Sequence, residues 1–81
     1  MKNLADIQVK NTVRVEKLLS KGNLRERMLA LGLTEGALID VVRKGPKNNL
    51  TVYNIRGSKI ALRSEESKLI LVSQIWLIYI F

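Results

Sequence analysis

The sequence predicts a mainly β domain, a small and partly open barrel of about five strands with one short helix inserted after the first strand. Three observations carry that prediction. Short β-rich runs are punctuated by glycine and proline, and helical periodicity is confined to residues 24–31. The 81 residues are 47% apolar, which supports a single small core of marginal size.

Taken in chain order, residues 3–8 read as a lead-in and Thr12 to Leu19 as the first strand, with Val13 and Val15 on one face and Arg14 and Glu16 on the other. Lys21-Gly22-Asn23 then links strand to helix. Asn23 is a good N-cap and Glu26 can complete a capping box, so the helix is predicted to begin at Leu24. Gly32 follows the last periodic residue and suits a left-handed C-cap, with Leu33 folding back onto Met28. At about 100° per residue Leu24, Met28 and Leu31 form one stripe, which leaves Leu29 unexplained.

Gly36 turns the chain into ALIDVVRK, where Ile39 and Val41 share one face and Leu38 and Val42 the other. Gly45-Pro46 ends that strand, because proline has no N–H for a ladder and biases the preceding residue away from helix. Leu50 to Arg56 and Lys59 to Arg63 read as a hairpin about Gly57-Ser58, with Val52, Ile60 and Leu62 expected to face the barrel. Ser64 is expected to cap a single turn through Glu65 and Glu66, and Leu69 to Val72 to close the sheet.

With these elements placed, a resemblance becomes specific. The run Arg27-Met28-x-x-Leu31-Gly32-Leu33-x-x-Gly36, then Ile39 and Val41, Pro46, Arg56-Gly57, Leu62-Arg63-x-x-Glu66 and Leu69-Ile70-Leu71-Val72 resembles the ferrous iron transport protein A (FeoA) family over residues 3–72. The loop Lys47-Asn48-Asn49 lacks the Gly-Asp-Pro of many relatives, and residues 73–81 continue past the family's usual end. The resemblance implies an SH3-like barrel over residues 1–72 with an apolar extension over 73–81. It also implies a non-catalytic accessory role in ferrous iron uptake, with a partner in the ferrous transporter, a membrane protein carrying a cytosolic GTP-binding domain.

Composition narrows the chemistry. The chain has no cysteine and no histidine, which removes disulfides, thiolate nucleophiles, imidazole bases and the commonest metal ligands together. Ser20, Ser58, Ser64, Ser67 and Ser73 fall in turn or exposed contexts where capping explains them, and the glycines form no P-loop. No enzymatic activity and no cofactor are expected. The carboxylates Asp6, Glu16, Glu26, Glu35, Asp40, Glu65 and Glu66 are dispersed, so no tight iron site is expected either. Glu65-Glu66 reads instead as a helix-start charge, with Glu66 near Arg63. Asp6 and Gln8 interrupt any signal-peptide core, and no apolar run reaches the ~18 residues of a spanning helix, so a cytoplasmic location is expected.

Fourteen Lys and Arg against seven Asp and Glu give a net charge of +7. Such a balance steers a protein toward nucleic acid, anionic lipid or an acidic protein face. A basic small barrel that binds nucleic acid is the alternative function. Tyr53 is the only aromatic residue outside the tail, however, so a stacking platform for bases and an aromatic groove for proline-rich peptides are both missing.

The candidates for partner binding are Arg25, Leu29, Leu38, Val42 and Trp76. Leu29 either packs under the N-terminal segment or tail, the favoured reading, or belongs with Arg25 to an exposed patch. Leu38 and Val42 make the outer face of their strand apolar. The tail SQIWLIYIF holds Trp76, Tyr79 and Phe81 and needs cover, from its own barrel, from a second copy in a homo-oligomer, or from a membrane or membrane-protein surface.

Overall fold

The architecture follows from which face of each strand is apolar. The structure, a computed structural model, describes residues 1–75. It contains six strands: β1 (Lys2–Asn3), β2 (Thr12–Leu18), β3 (Leu38–Lys44), β4 (Leu50–Ile55), β5 (Ser58–Arg63) and β6 (Ile70–Gln74). All neighbours pair antiparallel in the order β1-β6-β2-β3-β4-β5. Helix α1 (Gly22–Ala30) sits between β2 and β3, and a single helical turn, α2 (Ser64–Ser67), between β5 and β6.

The sixth strand comes from the lead-in. Lys2 and Asn3 pair with Val72 and Leu71, and a short 3₁₀ turn over Leu4–Asp6 then drops Leu4 and Ile7 into the core. Their spacing of three residues was the available signal, but two apolar residues among polar ones are too few to announce an element.

β2 is central, bonded to β3 on one side and β6 on the other. A bulge between Val15 and Lys17 adds one residue, so the inward series runs Val13, Val15, Leu18 instead of keeping strict alternation. β3 behaves likewise. Ile39 and Val41 are buried as predicted, and a bulge at Val42 shifts the phase so that Lys44 reaches inward toward the Ala5 carbonyl at 3.4 Å.

The β4–β5 hairpin corrects the predicted turn and face. Ile55 pairs with Ser58, so the two turn residues are Arg56 and Gly57, both with positive φ (51° and 84°), the arrangement of a type I′ turn that matches strand twist. With that register Thr51, Tyr53 and Ile55 point inward and Val52 points outward, opposite to expectation. The bulky Tyr53 takes the central core position and leaves Val52 the outer face. Leu62 is buried and Ile60 packs against the core.

α1 differs from expectation at its start and agrees at its stop. It begins at Gly22, whose positive φ turns the chain out of β2, and neither Asn23 nor any other side chain caps it. At the far end the Gly32 N–H bonds the Leu29 carbonyl and the Leu33 N–H the Met28 carbonyl, both at 3.0 Å, with Gly32 at φ 96°. That is the Schellman geometry. Met28 and Leu33 are fully buried and Leu24 packs on the core, but Leu31 is 37% exposed, because the short helix lies on the barrel by one edge of its stripe.

Two serines are more than caps. Ser20 is buried with its hydroxyl 3.2 Å from the Met28 sulfur, and Ser67 is buried sharing a 2.8 Å hydrogen bond with the Tyr53 hydroxyl. Ser64 is the first residue of α2, whose N-cap is Arg63.

Two outcomes follow from this packing. At Gly32 a Cβ would meet Ile55 Cγ2 at 3.4 Å and Arg56 Cδ at 3.5 Å, and the left-handed backbone disfavours any side chain. Gly32→Ala is expected to cost about 1–2 kcal/mol, read as a lower urea midpoint at unchanged slope. Burial raises the Tyr53 phenol pKa from 10.0, opposed by hydrogen bonds to Ser67 and Thr51. The folded pKa then lies above the unfolded one, so this contribution is intact below pH 10 and is lost as pH rises through the folded value. Tyr53→Phe is expected to cost about 1–3 kcal/mol at neutral pH by stranding Ser67. It should also flatten the fall in stability above pH 10 in denaturation curves taken across that range.

Candidate partner-binding site

Arg25 and Leu29 are one helical turn apart and so share a face of α1. They border a small open cleft of about 160 Å³ between the helix and the end of β2, where Leu18 and Leu33 supply apolar wall and Glu16, Lys17 and Glu35 the charged rim. Arg25 Nη1 donates to the Leu18 carbonyl at 3.3 Å, which folds the arginine along the cleft. Leu29 is 39% exposed. Leu29 thus stands as a partly exposed apolar side chain beside a cation, and the expected cover by the tail falls largely on residues 76–81, outside the described residues.

Leu38 and Val42 are 52% and 38% exposed on the outer face of β3. Leu38 lies across from Arg14 on β2, and Val42 is the extra residue of the bulge. The structure brings Arg25 and Leu29 together at one cleft, but neither Leu38 nor Val42 lines it. Trp76 lies outside the described residues.

Several motif residues that look chemical have structural partners instead. Arg27 forms an ion pair with Glu66, tying α1 to α2, while Glu66 Oε1 also accepts the Arg63 N–H at 2.9 Å. Glu66 thus lies near Arg63 as expected, through that residue's backbone amide. The tertiary fold supplies Arg27, 39 positions away in sequence. Arg56 Nη2 donates to Thr34 Oγ1 at 2.9 Å and lies over Gly32, so the Arg-Gly and Leu-Gly-Leu motifs meet at one junction.

Charge elsewhere is similarly engaged. Asp40 accepts from the Thr12 hydroxyl and from Asn54 Nδ2, and Glu16 accepts from the Ser73 hydroxyl. Among the described residues no three His, Cys, Asp or Glu side chains are grouped as metal ligands would be. Tyr53, the only aromatic residue among them, is fully buried, so its ring is closed to bases and to proline-rich peptides.

The FeoA domain model matches residues 2–74. The chain belongs to the FeoA family. This is a family of small accessory domains associated with ferrous iron transport. Similar solved structures include iron(II) transport protein A of Clostridium thermocellum, 27% identical with a TM-score of 0.86 over 90% of this chain. They also include FeoA of Chlorobium tepidum, 24% identical with a TM-score of 0.86 over 91%. FeoA of Stenotrophomonas maltophilia, solved with zinc and described as a prokaryotic SH3 domain protein, is 22% identical with a TM-score of 0.80 over 90%. The chain spans 45%, 70% and 91% of those three chains respectively. No curated protein matches the sequence. The barrel is thus SH3-like, with six strands among the described residues where the sequence predicted about five.

The Arg27–Glu66 pair separates two contributions. The Arg27 side chain is 55% exposed, so Arg27→Ala is expected to cost no more than about 1 kcal/mol. Glu66→Ala also strips the acceptor from the Arg63 amide and is expected to cost about 1 kcal/mol more than Arg27→Ala. A double-mutant cycle in urea checks both values.

Proposed function

We propose that this FeoA-family chain is a non-catalytic accessory and regulatory protein of ferrous iron uptake. It binds the cytosolic GTP-binding or membrane-proximal part of a ferrous transporter, and it works in the cytoplasm. The observation that carries this reading is the exposed Leu29 beside Arg25 on α1, an apolar anchor with a neighbouring cation at the lip of a small cleft. Leu38 and Val42 offer a second apolar surface on the adjoining sheet, and Trp76 remains a candidate contact. Among the described residues no helix is long and apolar enough to cross a membrane, which fits a role alongside a membrane protein.

The protein acts in this reading by occupying a surface of the transporter. The absence of cysteine and histidine from the whole sequence removes the usual acid-base and nucleophilic groups, and Arg27 is engaged with Glu66. The burial of Tyr53 also weighs against the nucleic-acid alternative, because among the described residues the basic surface carries no exposed ring, and such a surface gives only weak, salt-sensitive attraction to phosphates.

The test is a titration of the full chain against the cytosolic GTP-binding domain of its cognate transporter and against the intact transporter. Low and physiological salt are compared, with duplex and single-stranded DNA as controls. Saturable binding that persists at physiological salt and weakens at least about tenfold in Leu29→Glu is expected. Binding to DNA with no binding to either form of the transporter would overturn the reading.

A further inference from the structure

β5 is an edge of the sheet, and its register fixes which of its backbone groups are free. In a two-residue hairpin the residues flanking the turn, here Ile55 and Ser58, exchange hydrogen bonds. Bonded pairs then recur at Tyr53 with Ile60 and at Thr51 with Leu62. Lys59, Ala61 and Arg63 occupy the alternate positions, so their N–H and C=O groups point away from β4. The Arg63 N–H behaves accordingly, donating to Glu66. Among the described residues nothing bonds the backbone of Lys59 or Ala61 on that side.

An open groove of about 700 Å³ lies between this strand and α1, with apolar Leu31, Leu50 and Ile60 along it. Lys59 and Arg63 are exposed on either side of Ala61. Glu65 also faces the groove, while Glu66 is neutralised by Arg27. A second copy pairing antiparallel about Ala61 would set Lys59 against Arg63 of the other molecule, and like charges directly opposite destabilise a ladder. The edge therefore rejects its own sequence and favours opposite charge. Residues 76–81 contain no acidic side chain and do not complement it.

We infer that the β5 edge takes an extended acidic segment of another protein as a seventh strand. The segment's side chains alternate acid, apolar, any residue, apolar, acid. The central residue pairs with Ala61, the two acids lie opposite Lys59 and Arg63, and the apolar positions face the groove toward Leu31 and Ile60. This contact is separate from that of Arg25 and Leu29, and it stands or falls independently of the transporter reading.

The test uses isotope-labelled full chain and a terminally blocked nonapeptide with Glu-Val-Ala-Val-Glu at its centre, compared with the same peptide carrying lysines for the glutamates. Saturable shifts at the Lys59 and Ala61 amides are expected with the glutamate peptide alone, together with exchange slowed at least about tenfold. Ala61→Pro, which removes one free N–H from an edge position, should abolish binding. Should that variant not fold, the charge-reversed Lys59→Glu/Arg63→Glu chain should prefer the lysine peptide. Leu29→Glu should leave the affinity unchanged. Absence of shifts at Lys59 and Ala61, or binding equal for both peptides, would overturn the inference. Amides at Lys59 and Ala61 already protected in the free protein would overturn it too. Dependence of that protection on concentration would then identify a second copy as the occupant, and independence the chain's own residues 76–81.

Discussion

The junction at Gly32 is the constraint on which the rest of the molecule depends. The chain must leave α1 in a left-handed conformation, and the tip of the β4–β5 hairpin closes over the same point. The left-handed φ of 96° is what favours glycine here, since the hairpin tip would lie at ordinary contact distance from an added Cβ. The Schellman bonds then set Leu33 beneath Met28, and Arg56 reaches across to Thr34. Helix, hairpin and the lead into β3 are fixed together by a few short contacts, which suits a domain too small to rely on its core alone.

Around that junction the polar groups are placed to hold elements together. Glu66 serves Arg27 and the Arg63 amide, Asp40 serves Thr12 and Asn54, and Ser67 serves the buried Tyr53. These two carboxylates bridge neighbouring elements, and among the described residues no group of three acidic side chains converges on one point. What remains exposed includes isolated apolar residues such as Leu29 and Leu38, many cations, and the carboxylates Glu26, Glu35 and Glu65. In the proposed reading, such a surface would meet a partner by anchoring a few apolar side chains under a favourable field.

Much of the core was legible in the sequence because local rules were strong there. Val13 and Val15, Ile39 and Val41, Gly32 with Leu33, and the break at Gly45-Pro46 follow from period-two alternation, the left-handed cap and the missing proline N–H. Val52 and Leu31 were misplaced for a shared reason. Their burial depends on which of two apolar choices the neighbouring elements cover, and alternation within one segment does not say which face is inside. The turn moved by one residue as well, and with the observed register β4 turns Thr51, Tyr53 and Ile55 inward while β5 keeps Ile60 and Leu62 on the core side. The extra strand at Lys2–Asn3 exists only because β6 offers it an edge, and no two-residue segment announces itself.

The candidate site divides in the same way. The sequence marked Leu29, with Arg25 beside it, as the residue its helix could not explain, and the packing of α1 placed both at a cleft with Leu29 39% exposed. It marked Arg27, Arg56 and Glu66 as motif residues, and only the tertiary structure gave them partners across the fold. By itself the sequence determined the class of domain, the helix stop, the inward faces of β2 and β3, and a chemistry without cysteine or histidine, because these depend on covalent inventory and nearest-neighbour geometry. The tertiary structure decided the hairpin register, the burial of Tyr53, the partners of the charged motif residues and the free edge at β5. Each of these is a choice between arrangements that are locally equivalent and differ only in what long-range contact covers them.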